Sequence, residues 1–101
     1  MSDTLANIVL GIASKFRRAQ PDIANFLEHF RTVNIAQAPS HLSSPEVGEL
    51  LARLDSTSLL VLAELLEEIR LQGENKHLYR EAAYWDLVAD RVKDELSARA
   101  S

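Results

Sequence analysis

Histidines near carboxylates and a small concentration of cations are the residues whose type and spacing invite chemistry. Glu74-Asn75-Lys76-His77 has the glutamate-x-x-histidine spacing that sets two metal ligands on one helical face in di-iron bundle proteins. Such a site requires a second copy and two further inward carboxylates, and along the sequence His29 and His41 have no such companion. Glu74 also follows Gly73 directly, in a stretch that reads as a connector, where helical spacing need not hold. The expectation is a polar inter-helix turn, with no metal ligand and no cofactor assigned.

Nucleophilic and acid–base chemistry find no support either. The serines gather at helix caps and in one loop, no Gly-x-Ser-x-Gly elbow is present, and the three glycines are isolated, so nothing cradles a phosphate. Glu64, Glu67 and Glu68 are the nearest approach to a carboxylate cluster, and acidic residues at helical spacing read as solvated surface. No catalytic residue is assigned, and a non-enzymatic protein is expected. Lys15, Arg17 and Arg18, with Arg31 as a possible neighbour, are the basic concentration. They suit the C-terminal end of a helix, where cations offset the dipole, or contact with nucleic-acid phosphates. The chain as a whole carries a formal charge of -4, which opposes phosphate attraction. A helix-turn-helix reading also fails, because Ser56 to Leu62 would open the recognition helix without one Lys or Arg.

The elements that must position these residues are helical throughout. Apolar spacing and punctuation predict an all-α single domain over residues 1–101, a compact bundle of four to five helices. The first helix is expected over residues 4–19, with Leu5, Ile8, Val9, Ile12 and Phe16 inward, and Pro21 closes it and opens the second. That second helix, residues 21–33, buries Ile23, Phe26, Leu27, Phe30 and Val33 and sets Asn25, Glu28, His29 and Thr32 on its wet face. A loop is expected over about residues 35–44, followed by a short helix opened by Ser44 as N-cap and Pro45, with Val47, Leu50, Leu51 and Leu54 inward. The fourth and fifth helices, residues 57–72 and 76–98, are expected to be the longest and most central. Asp55 or Ser56 caps the fourth, Gly73 ends it in a left-handed conformation, and Asn75 caps the fifth. The fifth turns Leu78, Ala82, Trp85, Ala89, Val92 and Leu96 inward.

Composition excludes whole classes. At 101 residues, 47% hydrophobic and 26% charged, the chain has the apolar content to fold and no room for a second domain. Without cysteine it has no disulfide, zinc-thiolate or thiol chemistry. The apolar run from Leu5 to Ala13 is too short to span a membrane, and Asp3 precedes it where a secretion signal needs cations. A cytoplasmic protein beginning at or near Met1 is the expectation.

One feature exceeds what a bundle requires. On the last helix Tyr79, Ala83 and Leu87 form a second apolar line well away from the Trp85 stripe, and Leu60, Val61 and Leu71 lie off the main stripe of the preceding helix. Either the bundle wraps the last helix from two sides, or Tyr79, Ala83, Leu87 and Leu60 form a docking face. The expected function is a small protein-interaction module, an adaptor, inhibitor or regulator, or assembly subunit, that binds another protein or a second copy of itself through its C-terminal helices. The alternative is a small helical subunit or regulator of a nucleic-acid-associated complex, touching phosphates through Lys15, Arg17 and Arg18.

Overall fold

Proline and apolar periodicity divide the chain into helices much as expected. The structure is a computed structural model that describes residues 5–100. Helix α1 spans Leu5–Phe16, α2 Pro21–Thr32, α3 Ala38–Leu42, α4 Pro45–Ala52, α5 Ser56–Asn75 and α6 Tyr79–Ala100, with a 3-10 turn at Ile35–Gln37 leading into α3. The all-helical class holds among the described residues, which form six α-helices where four to five were expected. Thr4, the expected start of the first helix, lies outside the described residues.

The added helix is α3, in the stretch expected to be a loop. Asn34 initiates the 3-10 turn by accepting from the Ala36 N–H at 2.9 Å, and Pro39 sits in the first turn of α3, where a missing N–H costs nothing. Serine and proline favour loops in general, but at a helix start they do the opposite. The first helix stops at Phe16, earlier than expected. Its chain closes through the Gln20 N–H to the Phe16 carbonyl at 2.8 Å, and Gln20, at φ -140° and ψ 71°, leaves the helical region ahead of Pro21.

α5 and α6 are the longest helices and pack against each other more extensively than any other pair; α1 lies against α2 and also reaches α5. The core contains Leu5, Val9, Phe26, Phe30, Leu51, Leu62, Leu66, Ile69, Trp85 and Val92. Tyr84 and Val88, outside the expected α6 stripe, are buried too. Asp55 caps α5, accepting from the Ser58 N–H at 2.7 Å, and this bond holds its carboxyl below the usual range. Ser44 occupies the N-cap position of α4, but its hydroxyl makes no capping bond and is buried without a partner.

Gly73 does not end α5. It is a buried helical residue without positive φ, and a Cβ there would stand 2.6 Å from Leu5 Cδ1 and 3.1 Å from Ala82 Cβ. Glycine at this position allows α1 and α6 to approach the backbone of α5. The left-handed residue is His77, at φ 61°. Its N–H bonds the Glu74 carbonyl at 3.0 Å and the Leu78 N–H bonds the Gly73 carbonyl at 2.8 Å, the pair of bonds of a Schellman ending. Asn75 consequently belongs to the end of α5 and does not cap α6.

Side chains of α6 close the ends of three earlier helices. The Tyr84 hydroxyl donates to the Phe30 carbonyl at the end of α2. Arg91 Nε donates to the Leu42 carbonyl at the end of α3 at 3.4 Å. Arg99 donates to the Leu51 carbonyl of α4 at 2.8 Å and to the Leu54 carbonyl in the following turn at 2.6 Å. Glu95 lies between the two arginines, 3.7 Å from Arg91 and 3.0 Å from Arg99.

Two expectations follow from these ends. His77→Gly removes the strain of a side chain in the left-handed region and should raise stability by about 1 kcal/mol in denaturant titration. Tyr84→Phe should lower it by about 1–2 kcal/mol, because the Phe30 carbonyl loses its donor. Burial pushes the Tyr84 phenol above its ordinary 10.0. The folded state therefore binds this proton more tightly than the unfolded chain, so the contribution is complete below pH 10 and declines as pH rises further. Tyr84→Phe should lack that alkaline decline, which stability measured from pH 8 to 11 will show.

Candidate functional site

Helical geometry sorts the residues of α6 between core and solvent. Ala82, Tyr84, Trp85, Val88, Ala89 and Val92 face inward, so Tyr79, Ala83 and Leu87 fall on the far side of the helix. All three are exposed, Tyr79 to 61% and Leu87 to 44%, so the bundle does not wrap the second line. On α5 the inward residues are Leu59, Leu62, Leu66 and Ile69; Leu60 is exposed to 57% and Leu71 to 42%, whereas Val61 is partly covered. Leu60 and Leu71 are eleven residues apart, three helical turns, and share one face.

An ionic seam joins the two helices beside these lines. Arg70 pairs with Glu67 and with Glu74, the latter at 2.5 Å, and stands 3.7 Å from Asp86 across the helix pair. Lys93 crosses in the other direction to Glu67 at 3.4 Å. The hydrogen bond from Arg70 holds the Glu67 carboxyl below the usual range, against a smaller opposing effect of burial. Glu67 is thus a paired anion, Glu68 accepts from Gln72 at 3.4 Å, and Glu64 lies exposed; the three do not form a catalytic pair. Glu74 and His77 are not brought to a common point. Glu74 is turned to Arg70, and the His77 ring meets the Tyr79 hydroxyl at 2.7 Å.

The basic residues are spread between neutralised and open positions. Arg17, in the turn after α1, forms an ion pair with Glu28 of α2, while Lys15 and Arg18 are exposed. Arg31 lies elsewhere, half-buried beside a cavity of about 120 Å³ that it lines with Phe30, Glu81, Tyr84 and Trp85. Two open cations at a helix end are a small electrostatic footprint for a polyanion.

The fold also assembles a group that the sequence reading dispersed. His29 of α2, His41 of α3 and Glu46 of α4 converge, with one potential ligand atom from each residue inside 4.8 Å. The Nε2 atoms of the two histidines are 2.6 Å apart, and Glu46 Oε1 is 3.9 Å from Nδ1 of His29. His29 was expected on the wet face of its helix; it is only 22% exposed, because α3 folds over it and Phe30 supports the rings of both histidines. Burial holds the His29 imidazole below its ordinary range, with Glu46 opposing and His41 adding to the shift. The group is therefore an N,N,O donor set gathered from three helices. The one sequence signal that leads to it is the Ala-Pro-Ser-His-Leu stretch read as a helix start, since only a helical α3 turns His41 back onto α2.

No protein-family model matches the chain, and neither the curated proteins nor the solved structures contain a match. Among the described residues, no helix is long and apolar enough to cross a membrane.

Proposed function

We propose that the protein is a small non-enzymatic interaction module, an adaptor, inhibitor or assembly subunit, that holds another protein against the outer face of α5 and α6. The observation that supports this is the exposure of Leu60, Leu71, Tyr79 and Leu87 on the two longest helices, with Ala83 leaving a shallow step between Tyr79 and Leu87. Tyrosine and leucine held on rigid helices lose little conformational entropy when covered, and full burial of such a side chain contributes about 1.5–3 kcal/mol. The Arg70 and Lys93 ion pairs beside them supply a polar border that fixes orientation more than affinity.

Charge favours a different protein over a second copy. Asp86, Asp90 and Asp94 are exposed at four-residue intervals beside Leu87. A symmetric antiparallel pairing of α6 centred near Asp90 would set these acids against one another, whereas a partner with apolar anchors flanked by lysine or arginine would meet them. Phosphate contact through Lys15, Arg17 and Arg18 is the weaker reading, since Glu28 already engages Arg17. A cytoplasmic setting is part of the proposal.

Leu87→Glu and Tyr79→Glu test it, because both residues are exposed and substitution should change stability by less than about 1 kcal/mol. Affinity capture with the wild-type chain should retain one stoichiometric partner, and each variant should weaken that complex by about tenfold or more. A strict monomer in sedimentation equilibrium that retains no partner, or a complex indifferent to both substitutions, would overturn the reading. A concentration-dependent dimer abolished by Leu87→Glu would replace the foreign partner with a second copy.

A further inference from the structure

The Nε2 atoms of His29 and His41 lie 2.6 Å apart, the separation of two imidazoles that either share one N–H between them or are drawn to a common cation. In the His29–His41 pair the ring centroids are 4.8 Å apart and the planes are inclined by 28°, so the rings meet nearly edge to edge and both Nε2 atoms aim into the gap. We propose that His29, His41 and Glu46 form a binding site for a divalent transition-metal ion of the zinc class, with Nε2 of each histidine and the Glu46 carboxylate as protein ligands and water completing the shell.

The donor set selects the class of ion. Two imidazoles and one carboxylate suit zinc and its first-row neighbours, whereas magnesium and calcium require oxygen ligands throughout. Three protein ligands with a remaining open position are the arrangement of zinc sites that keep a bound water.

The geometry needs only small adjustment. Ligand atoms at tetrahedral angles and 2.0–2.1 Å from zinc are about 3.3 Å apart, so the Nε2 atoms must separate by well under 1 Å. α3 is five residues long and exposes Pro39 and Ser40, which lets His41 move that far. Glu46 is 63% exposed at the first turn of α4, free to rotate its carboxylate from Nδ1 of His29 toward the gap. A depression of about 450 Å³ lined by Ala36, Gln37, Ser40 and His41 gives the ion and its water a route from solvent.

Protons balance without an external acid or base. Each neutral imidazole carries one proton, and when both Nε2 atoms bind the ion, each ring holds its proton on Nδ1. The ion then ties α2, α3 and α4 together and fixes the segment from Ile35 to Glu46 against the bundle. This site is separate from the outer face of α5 and α6, and neither proposal depends on the other.

The experiment uses the full chain purified without a histidine tag. Calorimetric titration with Zn²⁺ should give one equivalent with Kd of about 10 µM or tighter. The melting temperature should rise by roughly 10 °C at a hundredfold excess over Kd. Co²⁺ should develop the visible bands of a four-coordinate ion, and Mg²⁺ should do neither. His29→Gln and His41→Gln should each weaken Zn²⁺ binding by about 100-fold and Glu46→Gln by about 10–100-fold, while His77→Gln leaves it unchanged. Circular dichroism of each metal-free variant confirms folding, and the exposed Glu46→Gln provides the decisive comparison if a histidine variant does not fold. Absence of one-to-one Zn²⁺ binding below about 1 mM, binding indifferent to His41→Gln and Glu46→Gln, or an equal thermal shift with Mg²⁺ overturns the site. In that event the histidines share a proton and clasp α2 to α3.

Discussion

Short helices end quickly, and every ending leaves carbonyl groups without an intrahelical partner. In this protein α2, α3 and α4 all finish against α6, where water cannot fully serve those carbonyls. A buried acceptor left unpaired costs about 1–3 kcal/mol, comparable with a large part of a small domain's net stability. Tyr84, Arg91 and Arg99 meet this constraint from a single helix. Their spacing of seven and eight residues keeps them within about 80° on the helix surface, so one flank of α6 faces three helix ends in succession. Glu95, between the two arginines, keeps both guanidinium groups in place.

That arrangement fixes how α6 is oriented about its own axis, and the orientation decides what it presents to solvent. With Trp85, Ala89 and Val92 in the core and Tyr84, Arg91 and Arg99 turned to the helix ends, the remaining arc holds Tyr79, Ala83 and Leu87. No other helix of the described chain lies over it. Gly73 acts in the same direction: by bringing Ala82 close to the α5 backbone it draws the two long helices together, leaving Leu60 and Leu71 outside the contact. The exposed apolar lines are thus a consequence of close packing on the opposite side.

The histidine cluster depends on the same constraint at one remove. His41 immediately precedes Leu42, whose carbonyl is held by Arg91, so the anchor that ends α3 also sets the imidazole over α2. Glu46 enters from α4 because only Ser43 and Ser44 separate α3 from α4, and Glu46 is the second residue of α4. His29, His41 and Glu46 are joined through contacts between helices, and their spacing along the chain carries no trace of this.

The sequence by itself determined the helical class, the boundaries marked by Pro21, Pro45 and Asp55, and most of the inward residues, because these depend on local backbone preferences and 3.6-residue periodicity. It also located the second apolar line of the last helix, for the same reason. Tertiary structure alone decided that this line is exposed, that Gly73 serves close packing while His77 takes the left-handed turn, and that residues 38–42 are helical with His41 against His29. Each of those outcomes turns on what lies across a helix interface, where the neighbour is fixed by how six helices share one core and not by the order of residues along any one of them.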